Sequence, residues 1–382
     1  MKKVLLVILD GAAEKATSAY AKAKKPHLDM LASNSTCGVW SGPHAPNYNS
    51  RSLSSVATLE ILGYSYTDEP GRGYLEALGA GLKPKKNSVY IRGNFATIKG
   101  KKIIDRRAGR DEKGFDIFVK EINKIKSIDG VKIKLYRLFG HRLVLELSGK
   151  GISSHVSDGD TGANVVKIKP LEFKARKTSD VINKFLEKSS VLLSNHPINK
   201  KRKIKANYIL LRAAGASKKV DTFKKKYGMR ACSISGVNII RGISRYIGID
   251  IADAPFSQIE NDLRYRARVA MDALERYDFV ILHINGADTY AHNRDFRGKV
   301  RYLEKIDAEV FSQLVKLRHI NIAVISDHIT DSRSGEHVFG PVPFLLYVPE
   351  ENGEYEKIVF DEKNCRCYVI DNPMKKIMSV IS

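Results

Sequence analysis

Three short apolar runs in this sequence each lead into an aspartate, and histidines follow two of them. Val4–Leu9 runs into Asp10-Gly11. Phe279–Ile284 runs into Asn285-Gly286-Ala287-Asp288, with His292 beyond it. Ile322–Ile325 runs into Ser326-Asp327-His328, and His337 follows before Pro341-Val342-Pro343. Carboxylate and imidazole together form a donor set for Zn²⁺, Mn²⁺ or a related divalent ion, with no need of cysteine. On a helical turn the spacing of Asp288 and His292 puts both on one face. Asp327 and His328 are adjacent, so they would serve one ion only from a loop. Two ions side by side clamp the attacking and leaving oxygens of a displacement at phosphorus. They also lower the pKa of a coordinated hydroxyl, which makes a serine nucleophilic. The stretch Asn49–Ser55 is rich in serine and precedes a short helical pattern over Val56–Tyr64. A serine at that helix start would gain from the dipole, and so would its phosphoester. Each feature alone has an ordinary explanation: a strand-end aspartate or a serine is often a cap, and Asp-x-x-x-His is often a surface pair. Their common position at strand ends is what joins them.

The elements that must position these residues are legible as patterns. Near-continuous apolar runs at Val4–Leu9, Ile209–Leu211, Phe279–Ile284 (broken only by His283), Ile322–Ile325 and Phe344–Val348 suit buried parallel strands. Arg264–Tyr277 and Gly298–Leu317 carry apolar residues at helical spacing. Strands alternating with helices predict a doubly wound α/β core with a mostly parallel sheet. In such sheets ligands bind beyond the carboxyl ends of the strands, which would deliver Asp10, Asp288 and Asp327 to one edge. The middle of the chain differs. Ser88–Thr97, Ile103–Ile104 and Lys132–Leu147 read as strands, Thr178–Leu193 as a helix, amid many basic residues and turns. This predicts a smaller α+β domain, 84–205, inserted into a core built from 1–83 and 206–382, with Lys200–Lys205 as the return linker.

The chain has 382 residues, of which 43% are hydrophobic, enough for a sizeable core and against global disorder. Its net charge of +23, from 65 basic against 42 acidic residues, suits anionic small substrates, nucleic acid, or a solvated basic surface. No nucleic-acid-binding motif accompanies it, so a nucleic-acid-binding protein stays a distant alternative. Cys37, Cys232, Cys365 and Cys367 form no small disulfide scaffold, and a reduced, cytoplasmic compartment is expected. The start superficially resembles a signal peptide, but its apolar run ends at Asp10 without a cleavage pattern. No uncharged run is long enough for a membrane span, so no membrane partner is expected.

Several further stretches give the chain a family resemblance. They include Leu9-Asp10-Gly11, Ile61-Leu62-Gly63-Tyr64, Gly71-Arg72-Gly73-Tyr74-Leu75-Glu76-Ala77-Leu78-Gly79-Ala80-Gly81 and Asn94-Phe95-Ala96-Thr97. Asp105-Arg106-Arg107-Ala108-Gly109-Arg110, Ile209-Leu210-Leu211-Arg212 and the ligand motifs above complete the set. On these the sequence resembles the archaeal-type cofactor-independent phosphoglycerate mutase family of the alkaline phosphatase superfamily. The resemblance implies interconversion of 2-phosphoglycerate and 3-phosphoglycerate through a phosphoserine at Ser54. It implies two divalent ions (Mn²⁺, Zn²⁺, Co²⁺ or Mg²⁺) and no 2,3-bisphosphoglycerate. One ion would be held by Asp10, Ser54, Asp327 and His328, the other by Asp288, His292 and His337. The inserted domain would grip the substrate, with Arg106, Arg107, Arg110 and Arg212 as candidate clamps, because planar guanidinium suits carboxylate and phosphate. Arg241 stands where relatives carry a lysine near the phosphoryl site. The sequence departs from the family's pattern at Leu53, Ser55 and Thr58 around the nucleophile, and at Asn285, Ala287, Thr289 and Tyr290 around Asp288. Ser157-Asp158-Gly159-Asp160 keeps only part of an acidic segment. The same ligand set would also serve a phosphomonoesterase or another phosphomutase.

Overall fold

The computed structural model describes residues 2–44, 53–255, 257, 259–349 and 357–381. Asn49–Ser52 of the serine-rich run lie outside them. The chain divides into two compact units, one running up to Glu69 and resuming at Val220, the other spanning Pro70–Lys219.

The first unit is built on an eight-stranded sheet. Its order is Asp250–Ala252, Ala231–Ile234, Phe279–Ile284, Val4–Leu9, Asn321–Ser326, Val342–Tyr347, Ser35–Trp40 and Val369–Ile370. The strands that carry chemistry are here called β1 (Val4–Leu9), β2 (Phe279–Ile284) and β3 (Asn321–Ser326). All six residues of each are buried, as their apolar runs require. Burial of each large aliphatic side chain contributes about 1.5–3 kcal/mol, and together these strands fix the centre of the sheet. β1 is parallel to both β2 and β3, and Leu9 is level with Ile284 on one side and Ser326 on the other. The three strands therefore end at the same height.

The apolar run at Phe344–Val348 belongs to the strand Val342–Tyr347, which is antiparallel to both neighbours, not parallel. Continuous hydrophobicity reports burial on both faces and is silent on direction. Helix α1 (Leu53–Ile61) follows the serine run, α2 (Asn238–Tyr246) packs against it, and α3 (Gly286–His292) leaves β2 directly. The helical pattern from Gly298 onward opens as α4 (Phe296–Ile306) and then widens into a π-helical turn at Asp307–Phe311.

The second unit is an antiparallel sheet with helices Phe115–Ile122 and Arg176–Asn195 on one face and Arg72–Gly79 on the other. The long strand Ser88–Lys99 pairs with Arg142–Ser148 on one side, with Tyr208–Ala216 on the other, and with Lys102–Asp105 at its far end. Val131–Arg137 and Ser127–Ile128 continue the sheet. Val89, Ile91 and Phe95 pack with Phe115, Phe118, Val181 and Phe185 in the core beneath helices Phe115–Ile122 and Arg176–Asn195. The unit boundaries fall at 69/70 and 219/220, outside the 83/84 and 205/206 expected from the sequence. The physical reason is strand pairing: Ile209–Leu211 belongs to this sheet and not to the parallel one, and helix Arg72–Gly79 packs on the two strands so joined. No helix among the described residues is long and apolar enough to cross a membrane.

Candidate active site

Because β1, β2 and β3 end level, the residues just beyond them converge. Asp10 follows β1, Asp327-His328 follows β3, and α3 lifts Asp288 and His292 off the end of β2. Gly11 makes this approach feasible. It has φ of +56°, and a Cβ there would lie 2.4 Å from Thr330 Oγ1 and 2.6 Å from Asp288 Oδ1. His337 enters from a hairpin that pairs Ile329–Asp331 with Glu336–Val338.

One group of donors surrounds His328 Nε2. Ser54 Oγ is 3.0 Å from it, Asp327 Oδ2 3.3 Å and Asp10 Oδ1 3.4 Å. A second group surrounds Asp288. Its Oδ2 is 3.3 Å from His292 Nε2, its Oδ1 is 3.5 Å from His337 Nε2, and the two imidazole Nε2 atoms are 2.9 Å apart. The groups are contiguous: the rings of His328 and His337 stack at 4.1 Å. Contacts behind the donors set their orientation. The amides of Gly11 and His328 both donate to Asp327 Oδ1 at 2.9 Å. Thr330 Oγ1 donates to Asp288 Oδ1 at 2.7 Å. His292 Nδ1 faces the Gly335 carbonyl at 2.7 Å, so Nδ1 carries the proton and Nε2 presents a lone pair. Beneath them the buried Lys299 of α4 donates to the carbonyls of Ala13 and Thr330 and to Glu14 Oε1 at 2.8 Å, tying the segment after β1 to the hairpin.

The electrostatics of these groups state what they require. Burial, and then the charges of Asp327 and Asp288, hold the Asp10 carboxyl well above its usual range. Burial lifts Asp327 to about 7. Burial pushes His328 down to about 4 and His337 to about 3. Burial also raises Asp288, but His337, His328 and His292 outweigh it and hold this carboxyl below its ordinary value. Left to themselves, two carboxylates cling to protons while two imidazoles refuse them. Asp10 Oδ1 and Asp327 Oδ2 are buried without a hydrogen-bond donor among the described residues. A divalent cation satisfies both orphaned oxygens and favours the ionised carboxylates and neutral imidazoles at once. The residues present therefore fit a metal centre: among the described residues Asp288, His292 and His337, then Asp10, Asp288 and His328, then Asp10, His283 and Asp327, each bring ligand atoms within 4.8 Å of one another.

The second unit carries a different site. On the long strand, residues alternate between the core and the opposite face, and Arg92 and Asn94 lie opposite the core. Arg92 sits across from Arg212, and Asn94 across from Arg142. Burial, Arg72, Arg212 and Arg142 drive the Arg92 guanidinium well below its ordinary pKa against the opposing charge of Glu76. Burial and then Arg142, Arg107, Arg92 and Arg110 press His141 down to about 4. The loop that delivers Arg107 and Arg110 is shaped by Asp105, whose carboxylate accepts from the amides of Arg107 and Gly109 at 2.6 and 3.1 Å. Arg202 supports it from below through the carbonyls of Ala108 and Asp111. The result is a cluster of neighbouring guanidinium groups, a donor set that suits an anion.

Residues 32–199 match the family described as 2,3-bisphosphoglycerate-independent phosphoglycerate mutase. The chain is 35% identical over 366 residues to the protein named 2,3-bisphosphoglycerate-independent phosphoglycerate mutase 1 of Archaeoglobus fulgidus, covering 90% of this chain and 88% of the relative. It is 37% identical to the mutase of Sulfurisphaera tokodaii over 340 residues, 85% of this chain and 82% of that one. This chain belongs to the 2,3-bisphosphoglycerate-independent phosphoglycerate mutase family. The solved cofactor-independent phosphoglycerate mutase of Thermoplasma acidophilum superposes with a TM-score of 0.69 at 26% identity over 100% of both chains.

Within this mutase family member the expected site residues fall into four places. Asp10, Ser54, Asp288, His292, Asp327, His328 and His337 form the centre just described. Arg107, Arg110 and Arg212 lie in the arginine cluster. Arg106 does not present a free fork: it grips the covered side chain of Asp160 through both carboxylate oxygens at 2.9 and 3.0 Å and donates to the Gly162 carbonyl. The partial acidic segment thus has structural work, since Asp158 also receives the Ala213 amide beside Arg212 at 2.8 Å. Arg241 lies on α2, one turn from Arg245, whose guanidinium is lowered first by burial and then by Arg241. The departures around Ser54 are accommodated: Thr58 Oγ1 donates to the Ser54 carbonyl at 2.7 Å, and Ser55 Oγ reaches Glu69 at 3.4 Å.

Sequence reasoning missed Arg92, Arg142, His141 and His283. Arg92 had a signal, the polar phase of an alternating strand. His283 had one too, as the single break in an apolar run; its Nε2 lies 3.5 Å from Asp10 Oδ2.

Proposed function

We propose that this chain interconverts 2-phosphoglycerate and 3-phosphoglycerate by parking the phosphoryl group on Ser54. The observation that carries the reading is Ser54 Oγ, 3.0 Å from His328 Nε2, at the start of α1 and among the donors Asp10, Asp327 and His328. Asp10, Ser54, Asp327 and His328 would hold one divalent cation, and Asp288, His292 and His337 the other. When bound, the cations lower the pKa of the serine hydroxyl and neutralise phosphoryl charge.

Ser54 Oγ attacks the phosphorus of the incoming phosphoglycerate, forming the serine phosphoester as the bond from phosphorus to the glycerate oxygen breaks. The proton lost by Ser54 is matched by the one the glycerate oxygen gains. The glycerate then turns, and its other hydroxyl takes the phosphoryl group back in the reverse sequence. The phosphoester gains from the α1 dipole. The arginine cluster of the second unit, with Arg92, Arg107, Arg110, Arg142 and Arg212, grips the substrate's carboxylate and phosphate through charge-assisted hydrogen bonds while it reorients. Arg241 would lend positive charge on the phosphoryl side.

Incubation with 3-phosphoglycerate and Mn²⁺ tests the reading. We expect 2-phosphoglycerate to accumulate to an equilibrium mixture with little inorganic phosphate. Release of inorganic phosphate with no 2-phosphoglycerate would instead identify a phosphomonoesterase using the same centre. Turnover of a different phosphorylated substrate alone would identify another phosphomutase.

A further inference from the structure

Glu260 takes no part in this chemistry, yet it is 1% exposed and its carboxylate is fully engaged. Oε1 accepts the Asn285 amide at 2.9 Å. Oε2 accepts the Gly286 amide at 2.9 Å and the Tyr302 hydroxyl at 2.6 Å. The two amides belong to the start of α3, whose first N–H groups have no partner within the helix. A carboxylate there also meets the positive end of the helix dipole. Its own charge is balanced by the buried Arg266 at 3.9 Å. The fit leaves no slack: a Cβ on Gly286 would stand 2.4 Å from the Tyr302 ring. Asp288 and His292, two of the three donors in the second group, both ride on this helix.

We infer that Glu260, braced by Tyr302, is a positioning residue that fixes α3 so that Asp288 and His292 meet His337 around one cation. By contact the clamp acts on one half of the centre, while the Glu260 charge also helps to raise the Asp10 carboxyl. Asp327 and His328 are held by other contacts, the Gly11 and His328 amides on Asp327 Oδ1, and Lys299 ties the segment after β1 to the hairpin. Loss of the clamp is therefore selective, which a general structural role would not be. The inference rests on the two-metal reading above.

The test is Mn²⁺ titration of the full chain, followed by the electron paramagnetic resonance signal of the free ion. Wild type binds two equivalents, and His292→Ala identifies the equivalent held on α3. In Glu260→Gln one acceptor becomes a donor that faces a backbone amide. The α3 equivalent then weakens by about 10–100-fold, the usual cost of losing a partner behind a ligand, while the other changes by far less. Tyr302→Phe leaves the carboxylate and removes one hydrogen bond, so the same equivalent weakens by about 2–10-fold. If Glu260→Gln does not fold, the Tyr302→Phe result decides. Two equivalents of unchanged affinity, or equal weakening of both, would overturn the inference alone. Fewer than two equivalents on wild type would overturn the two-metal reading and this inference with it.

Discussion

The donor cluster at the end of the parallel sheet and the arginine cluster on the antiparallel one are built on opposite electrostatic plans. In the first, burial holds Asp10 and Asp327 toward the protonated form and His328 and His337 toward the neutral one. In the second, burial and mutual repulsion lower Arg92, Arg107 and His141. Each unit has gathered groups that disfavour one another and are relieved by one kind of ligand, a divalent cation in one case and an anion in the other. Folding energy from the surrounding core keeps both clusters together: the first lies beyond the ends of three buried strands, and the second on a sheet whose other face packs Val89, Ile91 and Phe95 into a core.

The largest effect that separates the two comes from the cation. Removing metal with a chelator should abolish turnover by on the order of 10³-fold or more, and Mn²⁺ should restore it. Binding of phosphate or 3-phosphoglycerate to the arginine cluster should persist in the chelated protein, measured by calorimetry. Loss of anion binding along with the metal would merge the two sites into one.

Next comes the support under the metal side. Replacing Lys299 by Met leaves Glu14 buried without its cation and should cost about 3–5 kcal/mol of stability, read as a lowered midpoint in urea. An unchanged midpoint would mean that the segments it ties together are held by other contacts.

The arginine side should respond differently. Arg92→Ala or Arg142→Ala removes charge-assisted hydrogen bonds worth about 1.5–3 kcal/mol, so KM should rise by about 10–100-fold with Mn²⁺ affinity unchanged. A fall in kcat at constant KM would place these residues in the chemistry and not in the grip.

The smallest expected effect is a pH slope. His141 is lowered from 6.5 to about 4 in the folded protein, so between these values the unfolded chain binds the extra proton. Its contribution to stability is therefore complete above about 6.5 and is lost as pH falls toward 4. His141→Asn should show a shallower loss than wild type across that window. Parallel curves would show that His141 does not feel its arginine neighbours.

How much of this was legible in the sequence follows from what side-chain patterns encode. The runs before Asp10, Asp288 and Asp327 announced buried strands, and the shared height of their ends was the natural consequence of parallel pairing. Direction and sheet membership were not encoded: Phe344–Val348 proved antiparallel, and Ile209–Leu211 joined the other sheet, because an apolar run specifies only burial. The spacing of Asp288 and His292 correctly implied one helical face. Arg106 and Arg107 are neighbours of identical type, and only the placement of Asp160 decides that Arg106 is spent on an ion pair. Arg92 showed only as the polar phase of its strand, and its arginine neighbours came into view once the strand pairing set Arg212 and Arg142 beside it. Glu260 lies far from α3 in sequence and was visible only once the fold brought it there.

The central claim is that Ser54 carries the phosphoryl group, and mapping the protein after a rapid acid quench tests it most directly. Wild-type protein turning over 3-phosphoglycerate in Mn²⁺ should yield a phosphorylated peptide whose modified residue is Ser54, absent from Ser54→Ala, which should also lose turnover by on the order of 10⁴-fold. Turnover by Ser54→Ala at the wild-type rate, or phosphate found on another residue, would contradict it.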